Sequence, residues 1–193
     1  MKRVVFFALM GSLLACKKNL VEQTPVAHPK MAYSNLSDSA VVFGRSASFD
    51  LDGNGEKDIY FGTLLVGDPV SQQDKKQWLV TSSFNANLPV NTSENIPMLN
   101  LNDSIPLSDF PGYGWYNASS IVLSQKIIGV TGAPYWEGRW KDASHRFIPV
   151  QLRKNNDLYN GWVEISFDTL NAKLILHKAA VSFEPNKSIL AGK

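Results

Sequence analysis

From about Ala40 to the end of the chain, short apolar runs alternate with clusters of Gly, Pro, Asn, Asp and Ser. The runs fall at residues 40–43, 59–66, 77–81, 120–123, 126–130, 146–152, 162–167 and 173–181. They are rich in β-branched and aromatic residues and are bounded by turn formers, which predicts strands. Pro149 inside one run predicts an edge strand or a bulge, because proline cannot donate to a ladder. Residues 155–157 and 168–171 are polar and of hairpin-loop length. No segment carries a sustained 3.6-residue apolar period with caps. The pattern therefore predicts an all-β fold, a single-domain antiparallel β-sandwich of jelly-roll-like form. The absence of an internal repeat argues against propellers and solenoids.

The N-terminus reads differently. Lys2 and Arg3 precede an apolar run over residues 4–15. That run is too short to cross a bilayer as a helix and has the layout of a signal peptide. It ends in Leu13-Leu14-Ala15-Cys16, which holds the only cysteine of 193 residues. This resembles the lipobox of bacterial lipoproteins. The resemblance implies cleavage of residues 1–15, acylation of Cys16, and stable membrane anchoring by more than one acyl chain. One cysteine excludes an intrachain disulfide. Residues 16–36 contain prolines and little apolar pattern, and are expected to be a lipidated tether leading to a sandwich domain over 37–193.

Charge narrows the partners. Removal of Lys2 and Arg3 balances the basic residues against the 17 acidic ones. A neutral mature chain argues against nucleic acid and against a polybasic membrane surface.

One constellation has chemically meaningful spacing. In Asp50-Leu51-Asp52-Gly53-Asn54-Gly55-Glu56-Lys57-Asp58, side-chain oxygens stand at loop positions 1, 3, 5 and 9, and a glycine stands at position 6. A hard cation such as Ca²⁺ takes six to eight oxygens at about 2.3–2.6 Å. Asp50, Asp52, Asn54 and Asp58 are the expected side-chain ligands, and Glu56 is expected to offer its backbone carbonyl. The first nine positions resemble an EF-hand loop. The flanks read as strand, and position 12 is Phe61 rather than a bidentate glutamate. The loop is therefore similar to calcium loops carried between strands in extracellular bacterial proteins, with a structural ion of modest affinity. A metal-free polar turn is the alternative, since Asp-Gly and Asn-Gly form hairpins unaided.

The remaining chemistry is sparse. Tyr135, Trp136, Glu137 and Trp140 combine rings with a carboxylate and form the best candidate for stacking on a glycan. Core packing is the competing use of such rings. His28, His145 and His177 are scattered, and no nucleophile or metalloprotease motif is present. Glu137 and Glu164 are available as the carboxylate pair a polysaccharide hydrolase needs, but their spacing does not single them out. A non-catalytic role is expected.

Several stretches together carry a wider resemblance: the lipobox, residues 49–61, Leu99 to Ile105, Trp136-Glu137-Gly138, Tyr159-Asn160-Gly161-Trp162-Val163-Glu164-Ile165, and Ser188 to Gly192. The set resembles small envelope lipoproteins of Bacteroidota. It implies an outer-membrane location and no particular activity. Surface-displayed members carry acids directly after the cysteine, whereas this chain has Lys17-Lys18, so both faces of the membrane stay open.

Overall fold

The computed structural model describes residues 28–193, so the predicted signal peptide and the acylation site Cys16 lie outside the described residues. The described strands are β1 (Met31–Val41), β2 (Ala47–Phe49), β3 (Ile59–Asp68), β4 (Gln73–Ser82), β5 (Ala86–Val90), β6 (Ser104–Ile105) and β7 (Gly114–Tyr116). They continue with β8 (Ile121–Gly129), β9 (Tyr135–Glu137), β10 (Arg146–Lys154), β11 (Asp157–Asp168), β12 (Lys173–Ser182) and β13 (Ile189–Leu190). No helix is present among the described residues. A six-stranded sheet of order β1-β12-β11-β10-β5-β7 packs on a five-stranded sheet of order β2-β3-β4-β8-β9, and β13 pairs with β6 in a small ribbon. All the pairings are antiparallel. The fold is the all-β antiparallel sandwich that the alternation predicts.

Alternation along each strand supplies the core between the sheets. Ile59, Phe61, Trp78, Val80 and Leu123 of one sheet meet Ile148, Val150, Val163, Ile165 and Leu176 of the other, all essentially closed to solvent. An aromatic triangle crosses the gap: Phe167 lies 5.4 Å from Trp78 and 5.2 Å from Trp136, both edge-on. Trp78 Nε1 donates to Val41 O at 3.1 Å, so the indole nitrogen is satisfied inside the core.

The structured body begins earlier than the composition suggests. Residues 31–36, expected in the tether, belong to β1, and 31–35 pair with β12 from Met31↔Ser182 to Asn35↔Lys178. His28 Nε2 accepts the Leu190 N–H at 3.0 Å, and Phe183 N–H donates to Lys30 O at 2.8 Å. The segment has little apolar content of its own. A backbone ladder to β12 and the burial of Leu36 hold it.

Two further corrections concern strands. The runs at 120–123 and 126–130 are one strand, β8, because buried Ser124 satisfies its hydroxyl on Glu137 O at 2.9 Å. Pro149 lies in an interior strand, with a free gap on one side. Phe147 exchanges both backbone hydrogen bonds with Leu99, and the β5 pairing begins only at Gln151. Backbone groups alternate sides, so the missing Pro149 N–H falls between those two partners, where no ladder needs it.

Two hairpin turns share one construction. In the β3–β4 turn, Asp68 accepts the Ser71 N–H and hydroxyl at 3.0 Å each, and Gln72 takes φ 51°. In the β11–β12 turn, Asp168 accepts the Asn171 N–H at 3.0 Å and its side-chain amide at 2.8 Å, and Ala172 takes φ 51°. The Ser71 N–H, the Lys75 ammonium and the Ser71 hydroxyl hold the Asp68 carboxyl down at about 2.

The outer face of the six-stranded sheet is also covered. Trp162, Phe147 and Ala180 pack under Leu99, Ile105, Ile189 and Ala191 in a second apolar cluster. Gly161 is required beside it, since a Cβ there would lie 2.6 Å from Ala180 O. Buried amides fasten the cover. Gln151 Nε2 donates to Asn160 Oδ1 at 3.0 Å and to Leu107 O at 3.1 Å, while Asn160 Nδ2 donates to Ile105 O and Pro106 O at 3.1 and 3.0 Å. Replacing one member strands the others without water. Asn160→Ala is expected to cost about 2 kcal/mol, read as a lower urea midpoint at unchanged slope.

Candidate functional site

The acidic loop joins β2 to β3, and its neck is closed by two contacts. Asp58 N–H donates to Phe49 O at 2.8 Å, and Asp58 Oδ2 accepts the Leu51 N–H at 2.7 Å. Leu51 is buried in the main core and anchors the loop to it. Gly53 and Gly55 take φ 74° and 93°, the left-handed conformation that glycine adopts at no steric cost. The coil so formed turns its N–H groups inward. Asp50 accepts from Gly53 and Gly55 at 2.7 Å each and from Asn54 at 3.2 Å.

The structure brings Asp50, Asp52 and Asp58 together, each offering a carboxylate oxygen within 4.8 Å of the others. Asn54 and Glu56 are spent differently. Asn54 Oδ1 accepts the Glu56 N–H at 2.7 Å, and Asn54 Nδ2 donates to Asp52 Oδ2 at 3.2 Å. The Glu56 side chain is exposed. One residue invisible to local spacing completes the arrangement: Lys154, at the end of β10 in the opposite sheet, sets Nζ 2.9 Å from Asp52 Oδ2.

The three acids differ electrostatically. Asp58 is almost fully buried. Burial, opposed by the Leu51 N–H and reinforced by the charges of Asp52 and Asp50, pushes its carboxyl up to about 6. At Asp50 desolvation works in the same upward direction, but the Gly55, Gly53 and Asn54 N–H donors outweigh it and hold the carboxyl below its usual value. The loop thus holds one carboxylate ready-made and one that ionises reluctantly unless a cation joins it.

The aromatic segment does not form a platform. Trp140 is buried, at 1% exposure, and Trp136 packs against Trp78 at 5.1 Å and against Phe167. Tyr135 and Glu137 are exposed, and Glu137 Oε2 accepts from Gln125 Nε2 at 2.9 Å. The rings expected to face a sugar are used for the core, because β9 lies at the sheet edge with Trp136 turned inward.

A second polar cluster escaped the sequence. On the outer face of the six-stranded sheet, Tyr33, Asn35, Asp38, His145, Glu164, His177 and Lys178 line a depression of about 370 Å³. His145 Nδ1 lies 2.7 Å from buried Glu164 Oε1, and His177 Nδ1 lies 2.6 Å from Asp38 Oδ1. The two imidazoles stack with centroids 4.3 Å apart. His177 Nε2 reaches Ser166 Oγ at 2.8 Å, which gives the order carboxylate, imidazole, hydroxyl. Accessibility runs opposite to a nucleophilic triad. The Asp38 side chain is the exposed end, at 75%, while Ser166 is absent from the depression wall and already accepts the His145 N–H at 2.9 Å. The relay ties the bulge of β1 at 36–38 to His177, the extra residue in the β12 register. Glu164 Oε2 has no hydrogen bond among the described residues, and Lys178 Nζ stands 3.4 Å from it as counter-charge. Asp38 and His177 are 139 residues apart in sequence, so no local spacing could have signalled the pair. Glu137 and Glu164, the pair available for glycoside hydrolysis, sit on different sheets, in β9 and β11.

No family model, curated protein or solved structure matches this chain.

The Asp58 carboxyl gives a pH signature in chelator. Its folded value of about 6 lies above the ordinary 3.8. The folded chain therefore binds more protons than the unfolded chain between those values, and stability falls as pH rises through that window. Melting temperatures measured in chelator across this range are expected to decline, and the decline is expected to be absent in Asp58→Asn.

Proposed function

We propose that this chain is a calcium-braced β-sandwich moored to the cell-envelope membrane through a lipid on Cys16, with a binding or interaction role rather than a catalytic one. The observation that carries the calcium reading is the convergence of the Asp50, Asp52 and Asp58 carboxylates within 4.8 Å. Ligands on opposite sides of an ion at about 2.4 Å are separated by about that distance, so the three oxygens fit one coordination shell. The donor set is oxygen only, which suits a hard cation and not zinc or copper. Three carboxylates face one ammonium, that of Lys154, so the loop retains negative charge for a divalent ion to neutralise.

The ion would act as a brace. The loop is rooted in the core by Leu51 and tied across the sheets by Asp52 and Lys154. A chain with a single cysteine has no covalent cross-link to do the same work. The envelope location rests on the lipobox and on the resemblance to Bacteroidota lipoproteins. The glycan-binding alternative through Tyr135, Trp136, Glu137 and Trp140 loses its support, because two of the rings are committed to the core.

Calcium at about 10 mM is expected to raise the melting temperature by roughly 3–10 °C for a site of extracellular affinity. Asp58→Asn is expected to abolish that response while leaving the chelated protein at least as stable near neutral pH. Lys154→Met is expected to enlarge it, because the ion then supplies the only charge opposite Asp52. Calorimetry without any calcium-dependent shift in the parent would refute the brace. For the anchor, Cys16→Ser is expected to move the protein from the membrane to the soluble fraction.

A further inference from the structure

β7 is the last strand of the six-stranded sheet and pairs with β5 as Leu88↔Tyr116, Pro89↔Trp115 and Val90↔Gly114. Residues directly opposite in an antiparallel pair share a face. Leu88 and Val90 belong to the core between the sheets, so Tyr116 and Gly114 point to that same side. Leu88 is fully buried there, but Tyr116 is 60% exposed, so the partner sheet does not extend over it. Trp115 points the other way and packs on Phe110 at 5.7 Å beside the second apolar cluster. The Tyr116 ring is thus left out of both cores. Its seat is specific. A Cβ at residue 114 would lie 2.7 Å from Tyr116 Cε2, 2.8 Å from its Oη and 2.9 Å from its Cζ, so the ring rests on the bare backbone of Gly114.

This ring stands in a cleft of about 600 Å³, whose wall includes Asn91, Thr92, Asp109, Phe110 and Tyr113. The cleft is larger than the histidine depression and within the size range of small-molecule sites. Its wall is built from fixed parts. Tyr113 N–H donates to Phe110 O at 2.9 Å with Gly112 at φ 82°, the turn that proline followed by glycine favours. Asp109 Oδ1 accepts the Trp115 N–H at 3.1 Å, and Asn91 Oδ1 accepts the Ser93 and Asn95 N–H groups at 3.0 and 2.9 Å. Each of these two side chains is therefore held by one oxygen. Asp109 Oδ2, Asn91 Nδ2 and the hydroxyls of Thr92, Tyr113 and Tyr116 have no hydrogen-bond partner among the described residues.

We infer that this cleft binds a neutral glycan, with one pyranose ring stacked on Tyr116 and its hydroxyls bonded by Asn91 and Asp109. The inference rests on the binding role proposed above and supplies its ligand class, but needs neither the calcium brace nor the lipid anchor. The C–H face of a pyranose is weakly positive and suits the negative face of an aromatic ring. Sugar hydroxyls both donate and accept, and the wall offers an amide donor beside a carboxylate acceptor. An anionic ligand meets Asp109 and no lysine or arginine in this wall. A purely apolar ligand would cover Asp109 and Asn91 without satisfying them. The glycine seat and the proline–glycine turn fix the wall before binding, which lowers the ordering cost.

The test uses the full chain carrying Cys16→Ser, in calcium, on an array of neutral, sialylated and sulfated oligosaccharides. Neutral hexose chains are expected to be captured and the charged ones not. Titration calorimetry with a captured chain then compares variants. Tyr116→Ala is expected to weaken binding about tenfold or more, with a melting temperature near the parent's because the ring lies outside the cores. Gly114→Ala keeps the tyrosine but fills its seat, and is expected to weaken binding similarly. Tyr116→Phe keeps the stacking face and is expected to retain most of the affinity. A parent that captures no neutral glycan, or an affinity unchanged by Tyr116→Ala, overturns the inference. The calcium-dependent melting shift is read on the same samples: a missing glycan response with that shift intact removes this ligand alone, and a missing shift with glycan binding intact removes the brace alone.

Discussion

The six-stranded sheet must be covered on both faces, and most of the molecule answers to that demand. Its central strands present Ile148, Val150, Val163 and Ile165 to the partner sheet and Phe147, Trp162 and Ala180 to the opposite side. A strand apolar on both faces cannot leave either in water without losing the burial that drives folding. The partner sheet covers one side. The other is closed by short pieces that could not stand alone: the β6–β13 ribbon, Leu99 and Ala191. Their own packing is too small to fix them, so the amides of Gln151 and Asn160 hold backbone carbonyls of the 105–107 segment from beneath. Polar groups at such depth are tolerated because every one of those bonds is made inside the protein.

The same two-sided arrangement creates the uncovered polar depression. Where the ribbon stops, the outer face of β11 and β12 carries Glu164, Ser166, His177 and Lys178 in place of apolar residues. An extra residue in β12 and a bulge in β1 then bring His177 under Asp38. Two acid–imidazole pairs stacked on each other close the sheet margin without an apolar cover. The chemistry is that of a polar seam, with its hydroxyl satisfied from two directions.

On the far sheet the governing feature is a mismatch of strand lengths. β2 is three residues long and β3 is ten. The loop between them springs from the end where Phe49 pairs with Ile59, coils around its own N–H groups and gathers three carboxylates. At the other end the mismatch leaves Leu65 and Gly67 without a backbone partner on the outer side among the described residues, past the turn whose Gly44 N–H donates to Thr63 Oγ1.

The chain by itself determined the class of fold, the hairpins and the loop. Those depend on nearest neighbours: alternation at β11, Asp168 with Asn171, and two glycines within a run of oxygen-bearing side chains. It also marked Asp50, Asp52 and Asp58 as one group, because a nine-residue coil with left-handed glycines brings positions 1, 3 and 9 together. Only the tertiary structure decided what lies across from each residue. It drew residues 28–36 out of the expected tether, since their order comes from β12 and not from their own composition. It turned Trp136 and Trp140 inward, because a ring cannot state in sequence which side of a sheet it faces. It supplied Lys154 to Asp52 and Asp38 to His177 over distances that no local pattern spans. Backbone physics acts over a few residues and is written locally, whereas burial and charge pairing belong to whatever the folded chain brings into contact.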